Sequence, residues 1–230
     1  RFERHSADYS DTENVRFDPS DTMVGGRLAL EYQWNPSTIV YTSLARGYKA
    51  GGFNTDGSLD ADLRRYEPES LINLEVGLSR SWADETSFLR ASVFRMARHD
   101  VQIASSLTRV RIDGSAEFID YIGNAAEGSN IGVEMEVSTH LSNQLRLFAN
   151  VGMLRTEYRD FVSASGENYS GRDQAHAPEH QYSAGVEFSI AQGWLVNYTL
   201  EGRDAFFFSD SHDEKSRAYN LSHLKIGYEI

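Results

Sequence analysis

Residues 39–54 read IVYTSLARGYKAGGFN, and the reading of this stretch decides the fold. Ile39, Tyr41, Ser43, Ala45 and Gly47 share one phase of a two-residue alternation; Val40, Thr42, Leu44, Arg46 and Tyr48 share the other. That period, held over about ten residues, specifies a long β-strand. The strand follows Asn35-Pro36-Ser37, a tight-turn sequence, and ends at Gly51-Gly52, where the chain leaves the ladder. A strand of about ten residues between a short turn and a long polar loop is the unit of a transmembrane β-barrel.

Working outward, the same logic yields about ten strands. They are Arg1 to Tyr9, Val24 to Trp34, Ile39 to Lys49, Ser70 to Trp82, Ser87 to Ala104, Glu117 to Thr139 with a break near Gly128, Leu145 to Tyr158, Tyr182 to Ile190, Trp194 to about Glu201, and a last strand ending at Ile230. Ser10 to Asp21, Gly51 to Tyr66, Ser105 to Ser115, Arg159 to Pro178 and Asp204 to Arg217 read as loops. Short turns centre on Pro36, Asp84 (Ala83-Asp84-Glu85), Asn143 and Gln192 (Ala191-Gln192-Gly193), at intervals of 48, 59 and 49 residues. Each interval holds one hairpin with a long loop, so short turns gather on one side and long loops on the other.

Facing follows from the alternation. Ile72 to Leu78, Ile131 to Val137 and Tyr182 to Ile190 carry no charge in their apolar phases, while Glu75, Glu134, Glu136 and Glu187 occupy the opposite phases. Glu201 opposes the phase of Trp194, Val196, Tyr198 and Leu200. A carboxylate in a solvated lumen costs little, whereas one facing lipid is expensive. Glu75, Glu134, Glu187 and Glu201 are therefore expected to face the lumen. Trp34, Trp82 and Trp194 each adjoin a short turn, as one interfacial girdle of a barrel requires. A soluble sheet with one wet face gives the same alternation. Strand length favours the membrane, because soluble strands average about five or six residues.

Composition narrows the function. There is no cysteine, so disulfides and thiolate metal sites are excluded. The formal charge of -12 argues against a nucleic-acid partner. A mean hydropathy of -0.49 excludes a membrane helix but not a barrel, in which only alternate residues meet lipid. No cofactor motif is present. His176 and His180 have a spacing that binds metal on a helix, but Pro178 lies between them, so they are read as loop histidines that touch ligand. Ser209, Ser211, His212 and Asp213 are too close in sequence for a triad. Phe206-Phe207-Phe208 is read as interfacial anchoring. The long loops hold the cations Lys49, Arg64, Arg65, Arg109, Arg111, Arg172 and Lys215, of which the arginines suit a planar anionic ligand. Two other readings stay open: a complete small outer-membrane barrel with an enzymatic or adhesin role, and a soluble β-sandwich binding module.

A family resemblance adds to this. GYKAGGFN after an alternating strand, Tyr66-Glu67-Pro68-Glu69, the Asn73, Glu75, Gly77 strand, Val93-Phe94 with Val101-Gln102-Ile103, Gly123-Asn124-Ala125 leading into Gly132-Val133-Glu134, and Phe208-Ser209-Asp210-Ser211 together resemble the barrel of TonB-dependent outer-membrane receptors. The resemblance implies an antiparallel up-and-down transmembrane β-barrel that is not an enzyme. It implies active import across the outer membrane, typically of ferric siderophores, and in some relatives of cobalamin or saccharides. The expected partners are outer-membrane lipid, a small ferric-siderophore ligand, and the TonB–ExbB–ExbD complex, reached through an N-terminal region. The plug domain and TonB box of the family do not appear in residues 1–230, and the family barrel has about twenty-two strands. The chain is thus expected to be the C-terminal barrel portion, although it stops at Ile230 rather than on the family's usual aromatic residue.

Overall fold

The structure, a computed structural model, describes residues 1–12, 15–82, 86–163, 166–190 and 193–228. The turn residues 83–85 and 191–192 and the chain end at Ile230 lie outside the described residues. The elements are β1 (Phe2–Ser6), β2 (Tyr9–Ser10), β3 (Arg16–Phe17), β4 (Ser20–Val24), β5 (Gly26–Asn35), β6 (Thr38–Lys49), β7 (Gly52–Phe53), one helical turn α1 (Ala61–Arg64), β8 (Arg65–Tyr66), β9 (Glu69–Trp82), β10 (Ser87–Val110), β11 (Ala116–Ser142), β12 (Leu145–Asp160), β13 (His180–Ile190), β14 (Trp194–Arg203) and β15 (Tyr219–Tyr228).

Nine strands form one antiparallel sheet in the order β5-β6-β9-β10-β11-β12-β13-β14-β15, each paired with its neighbour in sequence among the long strands. β1 pairs with β4, which immediately precedes β5, in a separate two-stranded sheet. The up-and-down order is that of a barrel wall, and the two outermost strands, β5 and β15, are not paired with each other. The turn at Pro36 forms as its sequence dictates: the Asn35 carboxamide oxygen accepts the Ser37 backbone N–H and hydroxyl, each at 3.0 Å.

Several loops read from sequence are more ordered than expected. Ser105 to Ser115 is not a loop: β10 continues to Val110 and β11 resumes at Ala116, with Val110 paired to Ala116. The 24- and 27-residue strands therefore stand far above the rest of the sheet. Ser10 to Asp21 contains β3 and the start of β4, and the loop after Gly51 contains β7 paired with β8. The break expected near Gly128 is present as a register shift between Glu127 and Gly128.

The register fixes which residues share a face. Leu44, Leu74, Arg95, Ile131 and Arg155 form one cross-strand row, and Thr42, Val76, Val93, Val133 and Met153 the next. These aliphatic residues stay uncovered: Leu28 is 67% exposed, Leu74 51% and Ile226 60%. Buried aliphatics lie elsewhere, at the long-loop end: Val101, Ile103 and Ala125 pack with Tyr158 and Phe161, and Leu59 and Ile119 pack with Tyr121. A sandwich would bury the rows Ile72 to Leu78 and Ile131 to Val137 against a second sheet. Among the described residues no sheet covers them, so the β-sandwich reading is set aside. Hydrocarbon is the solvent that such a face requires. Trp34, Trp82 and Trp194 all fall in this phase beside the short turns, Trp194 against Tyr228 with ring centroids 5.0 Å apart.

On the opposite face, glycine and aromatic residues are matched across strands. Tyr41 sits opposite Gly77, Phe94 opposite Gly132, and Phe148 opposite Gly185. A Cβ at any of these glycines would run into the facing ring. Each ring therefore lies flat along the sheet over a strand that has no side chain, keeping the face open. We expect Gly132→Val to displace Phe94 and to cost about 1–3 kcal/mol, the usual range for overpacking, read as a lower denaturation midpoint in vesicles.

Candidate functional site

The polar phase lines a concave surface. Tyr41, Glu75, Arg90, Glu134, Asn150, Ser183, Glu201 and Tyr219, one from each of eight strands, surround a cavity of about 690 Å³. The four glutamates read as lumen-facing share this phase. Glu75 accepts the Tyr41 hydroxyl at 2.7 Å, Glu187 pairs with Arg146 at 2.8 Å and accepts Asn197 at 3.0 Å, and Glu201 lies 3.4 Å from His223. Glu134 borders the cavity, two residues from Glu136, which pairs with Arg90 at 3.1 Å. These pairs are partly exposed, so each is worth about 0–1 kcal/mol; their consequence is a charged, hydrated wall rather than stability.

Above this wall the long loops are tied together, and the ties are the residues of the family-like motifs. The Asn54 carboxamide donates to Ile122 O and accepts from Ile122 N, both at 2.9 Å. Asn124 answers in the other direction, accepting Glu67 N at 2.8 Å and donating to Glu67 O at 3.1 Å. Each side chain thus imitates a peptide group and completes a ladder that has no strand beside it. Gln102 bridges further, donating to Ala50 O at 2.8 Å and Glu67 O at 3.1 Å. Gly51 is required because a Cβ would lie 2.7 Å from Tyr66 O. We expect Asn54→Ala to cost about 1–3 kcal/mol, since both Ile122 backbone groups lose their partner, and to raise hydrogen exchange in residues 50–68.

Glu69, 7% exposed, holds the centre of this layer. One carboxylate oxygen accepts Arg98 Nε and Nη2 at 2.8 and 2.6 Å, and the other accepts Gln102 N at 2.9 Å. Arg98 donates onward to Gln174 at 2.9 Å, and Gln174 N donates to Thr156 at 3.0 Å. Gln174 is thereby tied to the upper ends of β10 and β12. Ala175 N donates to Asp210 at 2.8 Å, joining loop 204–218 to the same layer.

The predicted ligand cations occupy different surroundings. Arg64 is 2% exposed, 3.2 Å from Asp11 and beside the Tyr9 and Phe17 rings. Arg172 is held by Asp213 at 2.6 Å and lies 3.9 Å from the Phe207 ring centre. Arg109 pairs with Asp60 at 2.8 Å, Arg111 with Glu117 at 2.8 Å, and Arg65 with Glu67 at 3.2 Å. Lys49 ends β6 in the polar phase, exposed and opposite Glu69. His176, at φ 58°, packs on Phe206, while His180 opens β13 in the outward phase, 3.4 Å from Asp204. The structure does not gather these eight residues at one point. Phe206 and Phe207 are not interfacial anchors: Phe206 is buried, and Phe207 lies between Arg172 and Lys215, each 3.9 Å away. His212 does approach Ser209 and Ser211, at 3.3 and 3.1 Å, but Asp213 is spent on Arg172, so no triad forms.

Loop ionisation is shaped by the same contacts. The Ser58 hydroxyl and backbone N–H hold Asp56 below the usual carboxylate range, and Ser115 does the same for Asp113. Burial, with Asp210 nearby, pushes the Tyr158 hydroxyl up, so it remains a neutral hydrogen-bonding group within the loop layer. Sequence reading passed over Asn54, Glu69, Arg98, Gln102, Asn124 and Gln174 as functional residues, although four of them stand inside the motifs that carry the resemblance.

Comparison with known proteins agrees with this architecture. A family model described as TonB dependent receptor-like, beta-barrel matches residues 1–230. The pesticin receptor of Yersinia pestis is 28% identical over 72% of this chain, and the ferrioxamine B receptor of Salmonella typhimurium 23% identical over 100% of it. The chain spans 22% and 31% of the length of these two relatives. Among solved structures, the ferric yersiniabactin uptake receptor FyuA from Yersinia pestis superposes with a TM-score of 0.73 at 20% identity, over 97% of this chain and 33% of that one. The siderophore receptor PiuA from Acinetobacter baumannii gives 0.74 at 14% identity, over 96% and 32%. The members of this group are transport receptors of the outer membrane rather than enzymes, and the chain belongs to the TonB-dependent receptor family as part of its β-barrel.

Proposed function

We propose that this chain is part of the barrel wall of an active importer for a ferric siderophore. In this reading the plug domain and TonB box lie outside residues 1–230, and the TonB–ExbB–ExbD complex supplies the energy through them. The observation that carries it is the joint arrangement of one hydrocarbon-facing surface, one charged concave surface around about 690 Å³, and a tied loop layer above. A small, charged, strongly hydrated ligand suits such a wall, and the names of the relatives point to siderophores as the class. Within this reading Lys49, Arg65, Arg109, Arg111 and His176 offer ligand contacts from the loops, while Arg64 and Arg172 hold the loops in place.

The test is uptake of iron-55-labelled hydroxamate, catecholate and thiazoline siderophores by cells whose own receptors are deleted and which carry the complete gene. Accumulation of one class, lost when tonB is deleted, is the expected result. Accumulation of none, with the receptor present in the outer membrane, overturns the siderophore reading. Uptake that survives tonB deletion overturns the energy coupling.

A further inference from the structure

Two cavities of the chain carry the same sign of charge. Among the described residues, the lumen-wall cavity is bordered by four carboxylates, Glu75, Glu134, Glu136 and Glu201, against two guanidiniums, Arg90 and Arg203. Arg90 is already matched by Glu136 at 3.1 Å. Arg203 lies on the Phe206 and Tyr219 rings, 4.7 and 4.9 Å from their centres.

A second cavity, of about 460 Å³, lies at the tall hairpin. Ala104 pairs with Ile122 and Ser106 with Asp120, so these four share one phase of β10 and β11, and all four border the cavity. Ser209, Ser211 and His212 of loop 204–218 border it as well. Asp120 is exposed, and among the described residues no cation pairs with it. No lysine or arginine borders this cavity. The loop arginines are matched elsewhere: Arg65 by Glu67, Arg109 by Asp60, Arg111 by Glu117 and Arg172 by Asp213.

We propose that the ligand is a ferric chelate without net negative charge: a trihydroxamate complex, neutral in its core, whose cationic tail pairs with Asp120. This rests on the import reading above and narrows its ligand class. Three hydroxamate groups cancel the charge of iron(III), whereas three catecholates leave a trianion. A trianion in either cavity meets surplus carboxylate and no unmatched loop arginine, and like charge brought face to face rejects a partner. A neutral core needs only hydrogen bonds: its carbonyl oxygens accept from the hydroxyls of Ser106 and Ser211, and a tail ammonium gives its donors to Asp120. The volume of about 460 Å³ falls within the roughly 300–1,000 Å³ of small-molecule sites.

The complete receptor, purified in detergent, is titrated calorimetrically with three probes: ferrioxamine B, its N-succinyl derivative, and ferric enterobactin. The first two share one trihydroxamate core and differ in the sign of the tail charge; the third is a tris-catecholate trianion. The wild-type protein is expected to bind ferrioxamine B at least about tenfold more tightly than either of the others. Asp120→Asn is expected to narrow the preference between the two hydroxamates to below about threefold, and Asp120→Lys to reverse it, which a merely structural role for Asp120 does not produce. An unchanged preference in both variants overturns the role of Asp120. Equal or tighter binding of the succinylated form or of the tris-catecholate by wild type, or binding of none of the three, overturns the ligand class without any variant, so a folding defect in a variant leaves the proposal testable. A receptor that accumulates catecholate iron in a TonB-dependent manner keeps the import reading and loses this one.

Discussion

Val186→Arg is expected to block insertion of the barrel into lipid, while Ser183→Arg is expected to leave insertion near the wild-type level. Val186 is paired with Leu147 and Tyr198, and both neighbours belong to the hydrocarbon-facing phase. Ser183 is paired with Asn150 and Glu201, both on the cavity wall. An arginine near the bilayer midplane costs about 2–4 kcal/mol, enough to shift an insertion equilibrium by a factor of about 30 to 800. At Ser183 the same side chain meets water and a carboxylate. The measurement is heat-modifiable mobility of the refolded complete receptor in vesicles. Equal loss in both variants would contradict the facing assignment on which the fold rests.

The second large effect is expected at Glu69. Its carboxylate is the shared acceptor of Arg98 and Gln102, with side-chain exposures of 9% for Glu69 and 22% for Arg98. Removing one member of a buried pair leaves the other charge unmatched and costs about 3–5 kcal/mol. Glu69→Ala should therefore release Gln174 and with it loop 161–179, raising amide exchange there by about a hundredfold or more. The double variant Glu69→Leu/Arg98→Leu should cost less than either single truncation, because no charge is stranded. Additive losses would show that the pair acts independently of the loop layer.

How much of this was legible in the sequence depends on the solvent each residue meets. Strands with lipid on one side and water on the other, such as Ile72 to Leu78, carry a strict period of two and declare themselves. The turn at Pro36 is legible for a local reason, the Asn35 side chain closing on Ser37. The upper part of the tall hairpin was misread because Ser105, Ser106, Thr108 and Arg109 offer no continuous apolar phase to read, so the ladder is signalled only by its partner strand. The loop layer was illegible for another reason. Its ties join residues as far apart as Arg98 and Gln174 through side-chain amides and carboxylates, and no periodicity encodes such a pairing. Phe207 was assigned to the interface from its place at the start of a loop, the depth expected for a girdle; its neighbours, Arg172 and Lys215, make it a cation platform.

The carboxamide of Asn54 on Ile122 has one more outcome. At Ile122 the tall hairpin has no strand beside β11, and a bare strand margin invites a second molecule to dock backbone to backbone. One amide, seated on the margin at Ile122, denies that foothold. Without it, that margin would lie open to the backbone of another chain.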